Sequence, residues 1–344
     1  MAVSFAGAKK YKRHDGFREG GEIRKPFEAP VHYFPLRQGE FTLEPLAKAG
    51  DKVLAGQKIA DIAEFTVNPV ICGISGVVMS VTEDYIMVEN DMLSAPLAKP
   101  PPPKSADEMT TRETLWLLRE GGVYEPLSHL PLHVLLSEKR VADCIVVCCF
   151  DSDPYVSSPQ AITDGNAGKI LTALEMSMRL SGITKAYIAV ESDMKKAYSD
   201  FKLALRFNES IVLYSFKPRY PQSQREVLLK SLTGTDSVNA LFLSPETLVN
   251  MYDTLSLGKS VTHKTVTVSG DDILEPANYS VPLGMPYAQL LECAGYQSPE
   301  IVIEGGVIEG ERVRDLDTPV TQDTKAVLAF NSKENIPKYR KKLL

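Results

Sequence analysis

Residues 148–155 read Cys-Cys-Phe-Asp-Ser-Asp-Pro-Tyr and follow directly on the apolar run Cys144-Ile145-Val146-Val147. Two thiols and two carboxylates this close could ligate a metal, form a redox pair, line a nucleotide pocket or make a polar turn. A metal is poorly served. Successive side chains of a strand point to opposite faces, so Cys148 and Cys149 do not converge on one ion. A disulfide between neighbours is strained. A thiol activated for redox chemistry needs a Lys, Arg or His beside it, and none stands in the stretch. Asp151 and Asp153 are of the type that caps turns. Buried structural cysteines, a cofactor pocket and thiol chemistry at Cys148 or Cys149 all stay open. His129 and His133 have the H-x-x-x-H spacing that holds zinc when both face one side of a helix. Pro131 stands between them and interrupts such a helix, so no metal site is expected. Cys72 and Cys293 lie in apolar contexts and are expected in the core.

The elements that must position these residues fall into several units. The 344 residues are too many for one typical core. Residues 1–27 are basic and glycine-punctuated, diluted by Asp15, Glu19 and Glu22, and read as an arm. Residues 28–95 alternate apolar and polar side chains with closely spaced glycines, the pattern of a small all-β unit. Its segments GDKVLAGQ and SGVVMSV resemble the two halves of a biotinyl/lipoyl-type barrel-sandwich, without the lysine in a hairpin between methionines that such carriers modify. Prolines 100–103 make residues 96–105 an extended linker.

Residues 106–257 begin with a helix expected over 111–120 and go on to alternate strand and helix. CIVVCCF, KAYIAVE and SIVLYSF are the strands. GNAGKILTALEMSMRLSG, DMKKAYSDFKLALRF and QREVLLKSLTG are the helices, the first closed by Gly182. This rhythm predicts a Rossmann-like α/β domain with a mostly parallel sheet. Ligands of such sheets bind at the carboxyl ends of the strands. The stretch 148–155 sits at one such end and Glu191 at another. Residues 258–330 return to β with one helix, PYAQLLECAGY, and predict a small β-grasp domain. Residues 331–344 form a basic tail. The fold class is therefore multidomain α/β plus β.

Composition excludes several functions. The net charge of −6 argues against nucleic acid as the main partner. No apolar run is long enough to span a bilayer, and the first residues are too polar for a secretory signal. The cytoplasm is the expected location. Five cysteines, an odd number without a C-x-x-C, do not suggest a disulfide framework or an iron–sulfur cluster held by this chain.

The order of the motifs resembles the C subunit of the Rnf electron-transport complex and, more distantly, the flavin subunit of respiratory complex I. GDKVLAGQKIA (50–60), NPVICGISGVV (68–78), VENDM (88–92), YPQSQREVLLKSLTG (220–234), residues 258–295 and GGVIEG (305–310) follow the family pattern in the same order. The resemblance implies a barrel-sandwich hybrid domain, an α/β domain binding FMN and NADH, and an SLBB-like β-grasp domain. The family's acidic segment NGAECEPY is similar to residues 148–155. By that likeness Cys148, Asp151, Asp153 and Tyr155 would face the cofactor, together with Glu191, Ser244 and Glu246. Two family asparagines are replaced, one by Cys148 and one near Ser244.

The family's glycine-rich loop GMGGAGFPTHVKL resembles YEPLSHLPLHVLL, residues 124–136, but its glycines are gone. Glu125, Pro126, Ser128, His129 and Pro131 fall in this loop. Glycines let backbone N–H groups approach a phosphate. Pro126 removes a donor, and Leu127 and Leu130 add bulk. The chain also stops at Leu344, where the family continues into a cluster-binding domain. The expectation is a docking or scaffolding subunit of an electron-transfer assembly that has lost its own flavin and iron–sulfur sites, with no catalytic residue assigned. One alternative is an active NADH/FMN-dependent oxidoreductase subunit with a remodelled loop, as in proline-reductase-associated or cobalamin-reductase relatives. Another is a thiol-redox adapter working through Cys148 and Cys149. Expected partners are other electron-transfer subunits or a reductase, with peripheral contact to the inner face of the cell membrane through them.

Overall fold

A computed structural model of the protein describes residues 9–10, 22–97, 105, 108–137, 142–235, 237–332 and 336. The four linker prolines, most of the basic arm and most of the basic tail lie outside these residues. The described part of the arm is not detached. Arg24 N–H donates to the Asn278 carbonyl at 2.8 Å, and the Ser280 N–H returns a bond to Arg24.

The first unit is built from short antiparallel strands whose alternate residues turn inward. They are β1 (Val31–Pro35), β2 (Arg37–Gln38), β3 (Phe41–Thr42), β4 (Glu44–Pro45), β5 (Lys52–Val53), β6 (Lys58–Asp61), β7 (Val70–Ile71), β8 (Gly76–Val81) and β9 (Tyr85–Asn90). In β1, His32 and Phe34 are buried and their neighbours are half-buried, as a period of two requires. A sheet β1-β9-β8-β5 faces a second sheet β4-β6-β7, with β2-β3 as a separate hairpin.

The central unit opens with α1 (Thr111–Glu120), held by a reciprocal capping box between Thr110 and Glu113. A tight hairpin follows, β10 (Tyr124–Glu125) and β11 (Leu130–Pro131), leading straight into α2 (Leu132–Ser137). Pro131 stands immediately before that helix and so starts it instead of breaking it. Next come β12 (Cys144–Cys148), α3 (Ser158–Thr163), α4 (Ala167–Ser181), β13 (Ala186–Glu191), α5 (Lys195–Ala204), β14 (Ile211–Phe216), α6 (Arg225–Thr233), β15 (Ala240–Leu243) and α7 (Pro245–Leu257). All pairings in the sheet β14-β13-β12-β15 are parallel. Strand β12 is buried from end to end, which explains its unbroken apolar run.

The last unit contains β16 (His263–Ser269), β17 (Ala277–Pro282), α8 (Tyr287–Cys293), β18 (Ile301–Glu304), β19 (Glu311–Val313) and β20 (Ala326–Phe330). Its sheet runs β17-β16-β20-β18-β19, with β16 and β20 parallel and the other neighbours antiparallel. Cys72 is in the core as expected, whereas Cys293 remains half-exposed at the end of α8. The main core runs without a break from the barrel into the α/β unit. A smaller cluster packs Tyr155 and Val156, from the loop after β12, against Ile303 and Phe330 of the last sheet. The carboxyl end of β12 is thereby wedged between two units.

Candidate functional site

Where β12 ends, the chain leaves the sheet and turns twice on its own carboxylates. Asp151 Oδ1 accepts from Asp153 N–H at 2.7 Å, and Asp153 Oδ1 accepts from Tyr155 N–H at 3.0 Å. The two aspartates thus make the expected turn, and each also reaches further. Asp151 forms an ion pair with Lys325, just before β20. Asp153 Oδ2 accepts from Ile308 N–H at 2.9 Å, in the loop 305–310. A Cβ on Gly306 would lie 2.6 Å from Asp153 Oδ2, so only glycine lets that loop come so close. Burial, reinforced by Asp151, pushes the Asp153 carboxyl up to about 6.

These groups open onto a cavity of about 710 Å³ between the α/β unit and the last sheet. Cys148, Asp151, Asp153, Ser244 and Glu246 all line it, as do Pro126, Leu127 and His129 of the hairpin. Residues far apart in sequence are thus brought to one place, as expected at the carboxyl ends of parallel strands. Tyr155 and Glu191 are not among the lining residues. Tyr155 packs edge-on against Phe330, and Glu191 lies fully buried at the end of β13. Ser128, Leu130, Pro131 and Cys149 also stay off the cavity wall.

Glu125 is fully buried behind the wall. Its carboxylate accepts from Ser244 N–H at 2.7 Å and from Leu127 N–H at 2.9 Å. Burial raises its pKa, and these N–H donors oppose the rise. Ser244 caps α7, with its hydroxyl accepting from Thr247 N–H at 3.1 Å, and Pro245 follows without a donor. Glu246 in the first turn pairs with the buried Lys264 of β16 and accepts from Thr265 N–H at 2.7 Å. His129 carries a positive φ of 52° at a position where the resemblance has glycine, and its Nδ1 lies 2.8 Å from Asp323.

Burial raises the pKa of both thiols at the strand end, Cys149 to about 12. The Cys148 thiol donates to the Phe150 carbonyl at 3.2 Å, and both cysteines are free. His133 is buried in α2 and bonds the Phe65 carbonyl, apart from the exposed His129. Among the described residues no cluster of three or more His, Cys, Asp or Glu is arranged to hold a metal.

Sequence reasoning did not single out Lys264, Lys325, Arg225 or the loop 305–310 as site residues, though all line the cavity. The segment GGVIEG was legible as a motif. Its role as a wall was not, because only the tertiary fold carries it from the last sheet to the end of β12.

Comparison with known proteins covers the two units that form the first part of this arrangement. Residues 5–96 match the family described as the RnfC barrel sandwich hybrid domain, and residues 128–254 match the Nuo51 FMN-binding domain. The C subunit of the Na(+)-translocating ferredoxin:NAD(+) oxidoreductase complex of Acetobacterium woodii is 25% identical, over 83% of this chain and 70% of that protein. The C subunit of the proton-translocating ferredoxin:NAD(+) oxidoreductase complex of Clostridium ljungdahlii is 25% identical, over 90% of this chain and 74% of that protein. Among solved structures, an NAD+-reducing NiFe hydrogenase superposes with a TM-score of 0.54 at 14% identity, covering 64% of this chain. The chain spans about half of that hydrogenase chain, 47%. No helix among the described residues is long and apolar enough to cross a membrane. The chain is thus similar to the C subunits of Rnf complexes, with a match to the RnfC barrel sandwich hybrid domain preceding a match to the Nuo51 FMN-binding domain.

Proposed function

We propose that this chain serves an electron-transfer assembly as a docking subunit and that the flavin pocket of its fold is closed to FMN by the chain's own groups. One observation carries the reading. The amide that opens α7 already donates to a protein carboxylate, Ser244 N–H to Glu125 at 2.7 Å. A helix N-terminus receives a phosphate through its free N–H groups. Here Glu125 takes the first of these amides, the Ser244 hydroxyl takes the Thr247 N–H, and Pro245 offers none. The cavity's lysines are neutralised in the same way, Lys264 by Glu246 and Lys325 by Asp151. A flavin phosphate would have to displace three internal anions. Pro126 and Leu127 stand on the wall where a glycine-rich loop would let the backbone approach. The residues present do not suit the cofactor.

Other features support the wider reading. The strand order of the last unit, with a parallel central pair flanked by antiparallel neighbours and one helix, agrees with an SLBB-like β-grasp domain. The barrel and this domain would be the docking modules, with the chain held on the cytoplasmic side of a membrane through its partners.

The test is the visible absorption spectrum of the purified, untagged protein, taken before and after incubation with excess FMN and desalting. A colourless protein in both cases is the expected result. A retained flavin band would overturn the docking reading and give the function to an NADH/FMN-dependent oxidoreductase. The thiol-adapter alternative requires Cys148 or Cys149 to react with a thiol reagent in the native state. Their burial and raised pKa values favour no reaction there.

A further inference from the structure

The central sheet has two edges, and the fold guards them differently. Strand β15 is short, four residues, and so offers little to pair with. Strand β14 has six residues, Ile-Val-Leu-Tyr-Ser-Phe, with no charge and no proline. Soluble proteins blunt such an edge with lysine, proline or a covering element. Among the described residues no strand pairs with its outer side. Beside it, Leu203 and Phe207 are 69% and 85% exposed.

The backbone of β14 shows what could cover it. Ala186 N–H donates to the Ser210 carbonyl at 2.9 Å and Ser192 N–H to the Phe216 carbonyl at 2.7 Å. In a parallel ladder, residues of one parity face the neighbour. The even-numbered residues of β14 therefore face β13, and Ile211, Leu213 and Ser215 turn their amides and carbonyls outward. The Ile211 amide is already engaged by the Asn208 side chain, at 3.1 Å. The amides of Leu213 and Ser215 and the carbonyls of all three point into an unpaired edge.

We propose that this edge pairs with the same edge of a second copy of the chain, antiparallel about a two-fold axis at Leu213. An antiparallel pair bonds only when outward residues stand opposite outward residues. The register centred on Leu213 satisfies this over the whole strand: Leu213 faces Leu213 of the copy, and Ile211 faces Ser215. One step further out, Glu209 comes to stand opposite Lys217. Both side chains are exposed, and neither has an ion-pair partner among the described residues. The two-fold repeats this pair at the other end, so opposite charges close both ends of an uncharged strand. The Lys217 carbonyl is occupied by the Gln222 side chain, so that position contributes its ammonium and not its backbone. The result is one continuous sheet through two molecules. A C2 contact of this kind is self-complementary and closes without leaving a free β14 edge.

The experiment is light scattering on the size-fractionated full-length protein at micromolar concentration, at low and at physiological salt, for the wild type and three variants. Wild type is expected to run as a dimer. Glu209→Lys and Lys217→Glu each set like charges opposite each other at both ends. Each is expected to weaken the dimer on the order of ten- to a hundred-fold. The double variant Glu209→Lys/Lys217→Glu restores the complementarity and should restore the dimer. All three change only exposed residues outside the strand, so the fold is not at risk. A wild type that stays monomeric would overturn the proposal. So would a dimer indifferent to the single swaps, or one that the double swap fails to restore.

Discussion

At the scale of single residues, three buried titratable groups pull in opposite directions as the pH falls. His32 and His133 are both lowered to about 4, first by burial. A histidine whose folded pKa lies below its unfolded value stabilises the fold above the unfolded pKa, and that stability is lost as pH falls from about 6.5 toward 4. Asp153 does the reverse. Its carboxyl is pushed up to about 6, so the folded state binds its proton first and gains stability as pH falls from 6 toward the ordinary carboxylate range. Near pH 5 the unfolded chain takes up roughly two more protons at the histidines and the folded chain roughly one more at Asp153, a net loss of about 1 kcal/mol per pH unit from these groups. Asp153→Asn removes the opposing gain. Its stability in urea should fall about twice as steeply between pH 6 and pH 5 as that of wild type. Parallel curves would mean that Asp153 titrates as an ordinary exposed carboxylate.

At the scale of elements, the loop that carries the two aspartates is fixed by the start of α3. The N–H groups of Ser157 and Ser158 both donate to the Thr267 hydroxyl of β16, at 3.2 and 3.0 Å, and that hydroxyl donates to Asn278 Oδ1 at 2.7 Å. All four residues are buried. Thr267→Val keeps the shape and removes the acceptor, leaving two buried donors unpaired. The expected cost is about 2–4 kcal/mol, read from the urea midpoint. A change under about 0.5 kcal/mol would mean that water or other groups take over these donors.

Such a junction was not legible in the sequence. Helices α4, α5 and α6 and strands β12, β13 and β14 of the βα repeat were legible, because their apolar spacing is local, whereas the four-residue β15 and the helix α7 that follows it were not read. The capped helix 111–120 was placed to the residue by its own pattern. The hairpin of β10 and β11 was not, because its two-residue strands are too short to show a period. Nor was β20, whose sequence Ala-Val-Leu-Ala-Phe is wholly buried and reads equally as strand or helix. The candidate site divides the same way. Cys148, Asp151 and Asp153 announced themselves by type and spacing. Lys325 and the Ser244–Glu125 bond depend on contacts across more than a hundred residues, and Lys264 becomes a site residue only where β16 passes Glu246 at the start of α7.

At the scale of the whole molecule, the first and last units touch through residues more than two hundred positions apart in sequence. Tyr33 N–H donates to the Gly284 carbonyl at 2.8 Å, and His32 Nδ1 lies 3.1 Å from the Leu283 carbonyl. The contact closes over Gly73, between β7 and β8. A Cβ there would lie 2.5 Å from the Leu283 oxygen and 2.8 Å from its nitrogen, backbone atoms that cannot swing aside. Gly73→Val must therefore push the barrel away from the end of β17. The barrel keeps its own strands and shares its core with the α/β unit, so the damage should stay at this junction. Overpacking of this kind costs about 1–3 kcal/mol or more. Calorimetry of the variant should show a lower first transition, with the last unit melting before the barrel and the α/β unit. The buried Tyr279 and Tyr287 of the last unit and the lone Trp116 on α1 distinguish the two events by near-ultraviolet dichroism and fluorescence. If both probes move together in one unshifted transition, the two ends of the chain are not coupled through Gly73, and the bonds at Tyr33 and Arg24 hold them without it.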